Sequence, residues 1–114
     1  MAELRKEMNR WNIPVALEQE VMLRDVSCVY CRVVFGLPGA RAGDRPSWEH
    51  IVNDARIVTR ANISRCCRSC NSSKGAKSLG DWLRSEYSMR RGITRGTVAE
   101  VVRQALLAIA SPEE

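Results

Sequence analysis

Apolar residues recur at helical intervals near both ends of the chain, and this pattern predicts helices there. Leu4, Met8 and Trp11 follow one another at such intervals. The segment 12–14, Asn-Ile-Pro, then marks a break, and its proline suits the first turn of a second helix that runs to about Arg24. Residues 1–25 are therefore predicted to form two N-terminal helices.

Two more helices are predicted after residue 77. Ser78, with Asp81 three residues further on, forms a capping-box pattern, which typically opens a helix. The apolar face of that helix consists of Leu79, Trp82, Leu83 and Tyr87. The last helix carries one apolar stripe, made of Val98, Val101, Val102, Ala105, Leu106 and Ile109. We expect this stripe to pack on the core, and contact with a second copy in a homodimer is its alternative use.

Between these helices the chain has the pattern of short strands and turns. In the stretch 48–52 the residues Trp48, His50 and Val52 alternate with Glu49 and Ile51, which predicts a short strand. A second short strand is predicted over 62–67, and the turn-rich segment 36–46 is predicted to be a loop. Because side chains alternate between the two faces of a strand, Glu49 and His50 are expected on opposite faces.

The five cysteines point to a metal site. The charged start of the chain argues against export, and without export cysteines favour metal binding over a disulfide framework. Two C-x-x-C pairs are present, Cys28 with Cys31 and Cys67 with Cys70. Such pairs complete the tetrahedral four-sulfur shell of a closed structural zinc site; two independent redox pairs are the alternative. Cys66 is expected to point away from the metal, into the core.

The positive net charge of the chain indicates what kind of molecule it binds. The formal net charge is +5, and most of the excess is arginine. This favours a polyanion, with nucleic acid first and an anionic membrane surface second. No apolar run approaches the roughly 20 residues that a membrane-spanning helix needs. We therefore expect a cytoplasmic protein that does not enter a membrane, with a single domain over 1–114.

The order of the motifs resembles the zinc-knuckled branch of the HNH nuclease family. Along the chain it runs from C-V-Y-C through E-H and N-I-S-R-C-C to R-S-C-N-S-S-K-G. The resemblance covers roughly residues 27–77. It implies an α+β fold with a ββα-metal core and a four-cysteine zinc site. The helices predicted over 1–25 and 78–110 flank this core and lie outside the resemblance.

The resemblance also implies a catalytic role for two residues. His50 would be the general base that takes a proton from the attacking water, a role typically worth about 10²- to 10⁴-fold in rate. Asn62 would use its amide to fix the loop before the second strand and so orient His50. An imidazole suits proton transfer near neutral pH, because its ordinary pKa lies near 6.5.

A second, catalytic cation follows from the same resemblance. Glu49 and Asn71 would hold one divalent ion, Mg²⁺ or Mn²⁺, against the scissile phosphate. The family usually has Asp or His where Glu49 stands, and the longer side chain changes how far the carboxylate reaches. Asp54 and Asp44 are therefore alternative ligands.

Three basic residues would contact the nucleic-acid backbone: Lys74, Arg65 and Arg68. The sequence thus predicts a metal-dependent HNH endonuclease that hydrolyses phosphodiester bonds, most naturally in double-stranded DNA. A non-catalytic zinc-ribbon module that binds nucleic acid is the main alternative, since it explains the cysteines and the charge. A structural zinc-bound interaction protein that uses the C-terminal stripe is a third reading.

Overall fold

The computed structural model of the protein describes residues 8–110, which form a small α+β domain. The helices and strands follow in the order α1 (Val15–Arg24), a short 3-10 turn (Ala42–Asp44), β1 (Pro46–His50), β2 (Ile63–Cys67), α2 (Arg68–Lys74), α3 (Leu79–Leu83), α4 (Glu86–Arg90) and α5 (Glu100–Ala110). Among the described residues the sheet therefore consists of one antiparallel hairpin, and α2 follows it without a loop.

Of the two predicted N-terminal helices, one is found within the described residues 8–25. Leu4 lies outside the described residues, and from Met8 onwards the chain forms a turn in which Met8 is bridged to Pro14. The side chain of Asn9 accepts hydrogen bonds from the backbone N–H groups of Trp11 and Ile13, and such local bonds compete with helix formation. The second predicted helix is confirmed as α1.

The hairpin has a register that sorts its side chains into two faces. Pro46 lies opposite Cys67 and His50 lies opposite Ile63. Alternation therefore places Glu49 on the face opposite His50. Glu49 is buried, so its face is turned to the main core.

Strand β1 ends at His50, two residues earlier than the sequence pattern predicts. The side chain of Asn62 accepts a hydrogen bond from the N–H of Val52 and donates one to the carbonyl of Val52. These bonds replace the strand–strand bonds that Val52 would otherwise make, so the chain leaves the sheet there.

The main core lies between the hairpin, the first cysteine pair and the C-terminal helices. Its buried residues are Cys28, Val29, Tyr30, Ile51, Cys66, Cys67, Cys70, Leu79, Trp82, Ile93, Val98, Val102 and Leu106. A smaller cluster of Ile13, Val21 and Ile63 holds α1 against the other face of the hairpin, where Trp48 packs. Of the two C-x-x-C pairs, Cys28, Cys67 and Cys70 are therefore part of the main core, and Cys31 packs against it.

The C-terminal region is divided into more helices than predicted. The hydroxyl of Ser78 accepts a hydrogen bond from the N–H of Asp81, which confirms the predicted helix start. Ser85 then caps a new helix through the N–H of Ser88, so the predicted apolar face is shared by α3 and α4. The predicted apolar stripe packs on the core through Val98, just before α5, and through Val102 and Leu106 within it, but its last member, Ile109, is 57% exposed. The N–H of Ala99 donates to the carbonyl of Val29.

Helix α5, at 11 residues, is the longest described helix. In residues 8–110 no helix has both the length and the apolar content that a membrane crossing requires.

Adjacent leucines in α5 test how the helix packs. Leu106 is 6% exposed and Leu107 is 60% exposed. We expect Leu106→Ala to lower the free energy of unfolding by about 2–5 kcal/mol, because it leaves a cavity in the core. Leu107→Ala should change it by no more than about 0.5 kcal/mol. Urea denaturation of both variants measures the difference, and equal losses would contradict this packing.

Candidate functional site

Four cysteines from distant parts of the chain converge on one point. The sulfurs of Cys28, Cys31, Cys67 and Cys70 all lie within 4.8 Å of one another. Cys31 and Cys67 have their sulfurs 3.7 Å apart, close to the edge of about 3.8 Å that a tetrahedral shell with Zn–S bonds of about 2.3 Å requires. All five cysteines of the chain are free thiols. The cluster therefore fits a zinc ion.

Backbone geometry prepares each cysteine pair for a metal. In the first pair, the N–H groups of Tyr30 and Cys31 both point at the sulfur of Cys28, at 3.4 Å. Arg32 then takes a left-handed conformation with φ of 70°, which closes the turn. In the second pair, the sulfur of Cys67 accepts the N–H of Cys70, also at 3.4 Å. Such N–H···S contacts orient and stabilise thiolate ligands.

The thiols of the cluster are too close to behave independently. Hydrogen bonds from Cys28 and then from Cys67 hold the pKa of the Cys31 thiol well below its ordinary value. The hydroxyl of Tyr87, in α4, adds a contact of 3.4 Å to the sulfur of Cys70. A divalent cation is the natural charge partner of such a group of sulfurs, and four protein ligands leave no open position on it for water or substrate. The geometry is thus that of a closed four-sulfur site, the kind that structural zinc ions occupy.

Cys66 is not part of this cluster. Burial raises the pKa of its thiol, and the side chain lies near the hydroxyl of Ser47, on the face of the hairpin that is turned to the core. The expectation that Cys66 points away from the metal is confirmed.

His50 lies at the end of β1, beside the C-terminal end of α2. It lines a cavity of about 340 Å³, together with Asn53, Asp54, Ala55, Gly75 and Ala76. Its Nε2 atom is buried and has no hydrogen-bond partner among the described residues. A buried polar atom without a partner costs free energy and calls for an explanation.

Asp54 provides negative charge near this imidazole. The guanidinium of Arg56 forms a hydrogen-bonded ion pair with the Asp54 carboxylate at 2.9 Å. This pairing lowers the pKa of Asp54 to about 2, so the group is a carboxylate at every pH near neutrality. Asp54 lines the same cavity as His50, but its carboxylate is already paired with the guanidinium of Arg56.

Asn62 holds the loop 51–62 between the two strands. Its Oδ1 accepts the N–H of Val52 at 2.7 Å, and its Nδ2 donates to the carbonyls of Val52 and Ile57 at 3.2 and 3.1 Å. The loop begins directly after His50, so this one buried amide fixes the chain on which the imidazole is carried. Its contribution to catalysis stays a prediction.

Asn71 faces β1 from the middle of α2. Its Nδ2 donates hydrogen bonds to the hydroxyl of Ser47 at 2.9 Å and to the carbonyl of Trp48 at 3.0 Å. Both bonds use the nitrogen, and among the described residues none uses Oδ1. That oxygen remains available as a neutral ligand for a hard cation.

Glu49 and Lys74 form a buried ion pair in the core. The Nζ of Lys74 lies 2.9 Å from Oε2 of Glu49, and the two side chains are 0% and 6% exposed. The hydroxyl of Tyr30 donates to the same oxygen at 2.6 Å. Lys74 therefore does not occupy the expected position facing the nucleic-acid backbone, because its ammonium is enclosed by protein acceptors.

The two arginines expected at nucleic acid have different surroundings. The guanidinium of Arg65 lies over the rings of Phe35 and Trp48, at 5.4 and 5.6 Å from their centres, and burial lowers its pKa from the ordinary value. Arg68 is exposed at the start of α2, where its N–H donates to the carbonyl of Arg45. Arg68 is thus placed for phosphate contact, whereas Arg65 is partly used in packing.

Two contributors to the site were missed in the sequence. Tyr30, inside the first C-x-x-C pair, reaches Glu49, and Ser47 accepts from Asn71. No sequence signal marks either contact, because both depend on how the cysteine pair and α2 pack against β1. The x positions of a zinc knuckle are nevertheless always close to the metal, and an aromatic residue there is a candidate for the core beside it.

Comparison of the chain with family models, with curated proteins and with solved structures finds no match in any of the three. The resemblance to HNH nucleases therefore stays a prediction, and the four-cysteine cluster and the surroundings of His50 are established by geometry alone.

Zinc content and folding test the cysteine cluster. We expect the purified protein to carry a single structural zinc ion, and Cys28→Ser to lose it and to unfold, since structural zinc contributes on the order of 10 kcal/mol in small domains. Cys66→Ala is the matched control and should keep the zinc, because Cys66 lies outside the cluster. Elemental analysis and thermal melting give both quantities. Full zinc in folded Cys28→Ser would contradict a four-sulfur site.

Asn62 can be tested separately from the metal. Asn62→Ala removes the partners of Val52 and Ile57, so we expect the free energy of unfolding to fall by about 1–3 kcal/mol. Amide hydrogen exchange should accelerate in the loop 51–62, while the zinc content stays unchanged. Unaltered exchange in that loop would show that Asn62 does not hold it.

Proposed function

We propose that the protein is a metal-dependent endonuclease of the HNH type, which hydrolyses phosphodiester bonds in double-stranded DNA. The observation that carries the proposal is the placement of His50. Its Nε2 is buried and has no hydrogen-bond partner within residues 8–110, and His50 lines a cavity at the junction of β1 and α2. A general base needs a nitrogen that is free to accept a proton, and an ordinary structural histidine would have its nitrogen satisfied.

The remaining residues of the resemblance support this role by their positions. Asn62 fixes the loop that follows His50, and α2 places Asn71 against β1. In this proposal His50 takes the proton from the attacking water, and the hydrogen bonds of Asn62 hold the loop that follows His50. Misplacing a catalytic group by about 1 Å can cost on the order of 10²-fold in rate.

A divalent cation, Mg²⁺ or Mn²⁺, supplies stabilisation of the charge that develops on the phosphate and the leaving oxygen. The resemblance assigns it to Glu49 and Asn71: Oδ1 of Asn71 accepts no hydrogen bond in residues 8–110, whereas the carboxylate of Glu49 already accepts from Tyr30 and pairs with Lys74. One carboxylate and one amide bind a cation weakly, so binding tightens when the DNA phosphate is present.

Positive charge on the surface supports a nucleic-acid partner. The backbone of Arg68 is bonded to that of Arg45, and both residues are exposed. Neither guanidinium takes part in a salt bridge within residues 8–110. Unpaired arginines contact phosphates without reading base sequence, so we expect affinity for DNA that falls steeply as salt rises.

A non-catalytic zinc module that binds nucleic acid is the second candidate. The contact that favours it is the buried pairing of Glu49 with Lys74, because an occupied carboxylate is less able to hold a cation. This alternative accounts for the cysteines and the arginines. It does not explain why the buried Nε2 of His50 has no hydrogen-bond partner among the described residues.

Plasmid nicking distinguishes the two candidates. Supercoiled DNA is incubated with the zinc-loaded protein and Mg²⁺ or Mn²⁺, beside the variant His50→Ala. We expect the wild type to produce nicked circles and the variant to be slower by about 10²-fold or more, because the general base is lost. The melting temperature and zinc content of the variant should match those of the wild type.

The nuclease proposal is abandoned if wild type and His50→Ala nick at the same rate, since the activity then has another source. It is also abandoned if neither protein nicks with either cation while both bind DNA, which is the result expected of a binding module.

A further inference from the structure

The four cysteines of the cluster differ in their access to solvent. Three of them are fully buried in the main core: Cys28, Cys67 and Cys70. Cys31 is only partly buried. It lies in a turn at the surface of the domain, where Arg32 and Val34 are exposed. A small reagent in solution therefore meets the cluster at Cys31.

The sulfur of Cys31 is in contact with a sulfur of the other cysteine pair. Cys31 and Cys67 are 36 positions apart in the chain, and their sulfurs lie 3.7 Å apart. The sulfurs of a disulfide are about 2.05 Å apart, so bond formation between these two needs an approach of only about 1.7 Å. Contact with the partner is thus already made in the folded protein.

Cysteines that bind a metal have the chemical form that oxidants attack. A cysteine ligand is a thiolate, and the thiolate is the form that peroxides convert to a sulfenic acid. A sulfenic acid condenses with a neighbouring thiol to form a disulfide. Cys31 offers a thiolate that solvent reaches, and Cys67 offers the neighbour.

We propose that Cys31 is the site at which hydrogen peroxide oxidises the cluster, and that the product is a disulfide between Cys31 and Cys67, formed with loss of the zinc ion. The inference concerns the cysteine cluster and does not rest on the nuclease proposal. It adds a modification site to a cluster that otherwise only stabilises the fold.

The reaction proceeds in two steps. The Cys31 thiolate attacks one oxygen of the peroxide, the O–O bond breaks, and the sulfenic acid of Cys31 and one hydroxide ion form. The Cys67 thiolate then attacks the Cys31 sulfur and expels the hydroxyl group as a second hydroxide ion. Two protons from solvent convert both ions to water. The two thiolates together have given two electrons to the peroxide.

The disulfide takes over the connection between the two cysteine pairs. Cys28 and Cys70 remain as only two ligands, whereas a closed zinc site uses four, so they release the ion and each takes up a proton. The N–H of Val29 donates to the carbonyl of Arg65 and joins the same two parts of the chain through the backbone. We therefore expect the oxidised chain to stay folded without zinc, whereas a chain stripped by a chelator unfolds.

Two measurements on the zinc-loaded wild type test the site and the product. Limiting N-ethylmaleimide, followed by digestion and mass spectrometry, should label Cys31 before any other cysteine. Hydrogen peroxide should release about one zinc ion per chain to a chromogenic chelator, as expected for one four-sulfur site. The oxidised chain should contain the Cys31–Cys67 disulfide and still melt cooperatively, and dithiothreitol with added zinc should restore the starting state.

A variant that keeps the metal tests the role of the exposed sulfur. Cys31→His retains a fourth ligand, because three cysteines and one histidine also hold structural zinc. We expect peroxide to release its zinc about tenfold more slowly or less, since an imidazole forms no sulfenic acid. Cys66→Ala is the matched control and should release zinc at the wild-type rate, because Cys66 lies outside the cluster.

The inference is overturned if the oxidised wild type contains disulfides within the pairs, Cys28–Cys31 or Cys67–Cys70, in place of the bond between them. First labelling at another cysteine, zinc that peroxide does not release, or loss of the cooperative melt on oxidation also overturns it. Equal release from zinc-loaded Cys31→His and wild type does the same. If Cys31→His binds no zinc, the disulfide map and the melt of the wild type decide.

Discussion

The convergence of two cysteine pairs from distant parts of the chain determines where the other elements lie. Cys67 ends β2, caps α2 through the N–H of Cys70, and belongs to the four-sulfur cluster. The direction of α2 relative to the hairpin is therefore set at its first residue. Asn71 and Lys74 reach β1 because this helix starts where it does, and the surroundings of Glu49 and His50 follow from that placement.

The features that the sequence predicted well depend on local chemistry. A C-x-x-C pair forms its turn from its own backbone, so the cluster was predictable apart from the path that joins the pairs. Ser78 and Asp81 cap α3 through atoms three residues apart, and α1 begins after a proline. The apolar stripe that runs into α5 is periodic, and Val98, Val102 and Leu106 pack as it indicates, although Ile109 near the helix end is exposed.

The features that the sequence did not reveal depend on contacts between distant segments. Lys74 stands among serines, glycine and another lysine, a composition typical of an exposed turn. Its ammonium can be buried because it pairs with the carboxylate of Glu49. The interruption between α3 and α4 depends on the hydroxyl of Ser88, which donates to the carbonyl of Trp82. Strand β1 ends early because the side chain of Asn62, 10 residues further along the chain, bonds the backbone N–H and carbonyl of Val52.

The continuity between β2 and α2 limits how this chain can vary in length. From Ile63 to Lys74 every residue is in a strand or a helix, and Cys67, Cys70, Asn71 and Lys74 within it make contacts on β1 or in the cluster. An added residue in this stretch would rotate Asn71 and Lys74 off β1 by about 100°, the angle of one helical step. The turn-rich segment 36–41 carries no such contacts to the site, so extra length is tolerated there. Any extension of the surface that meets a partner is therefore expected in that segment and not in the hairpin–helix unit.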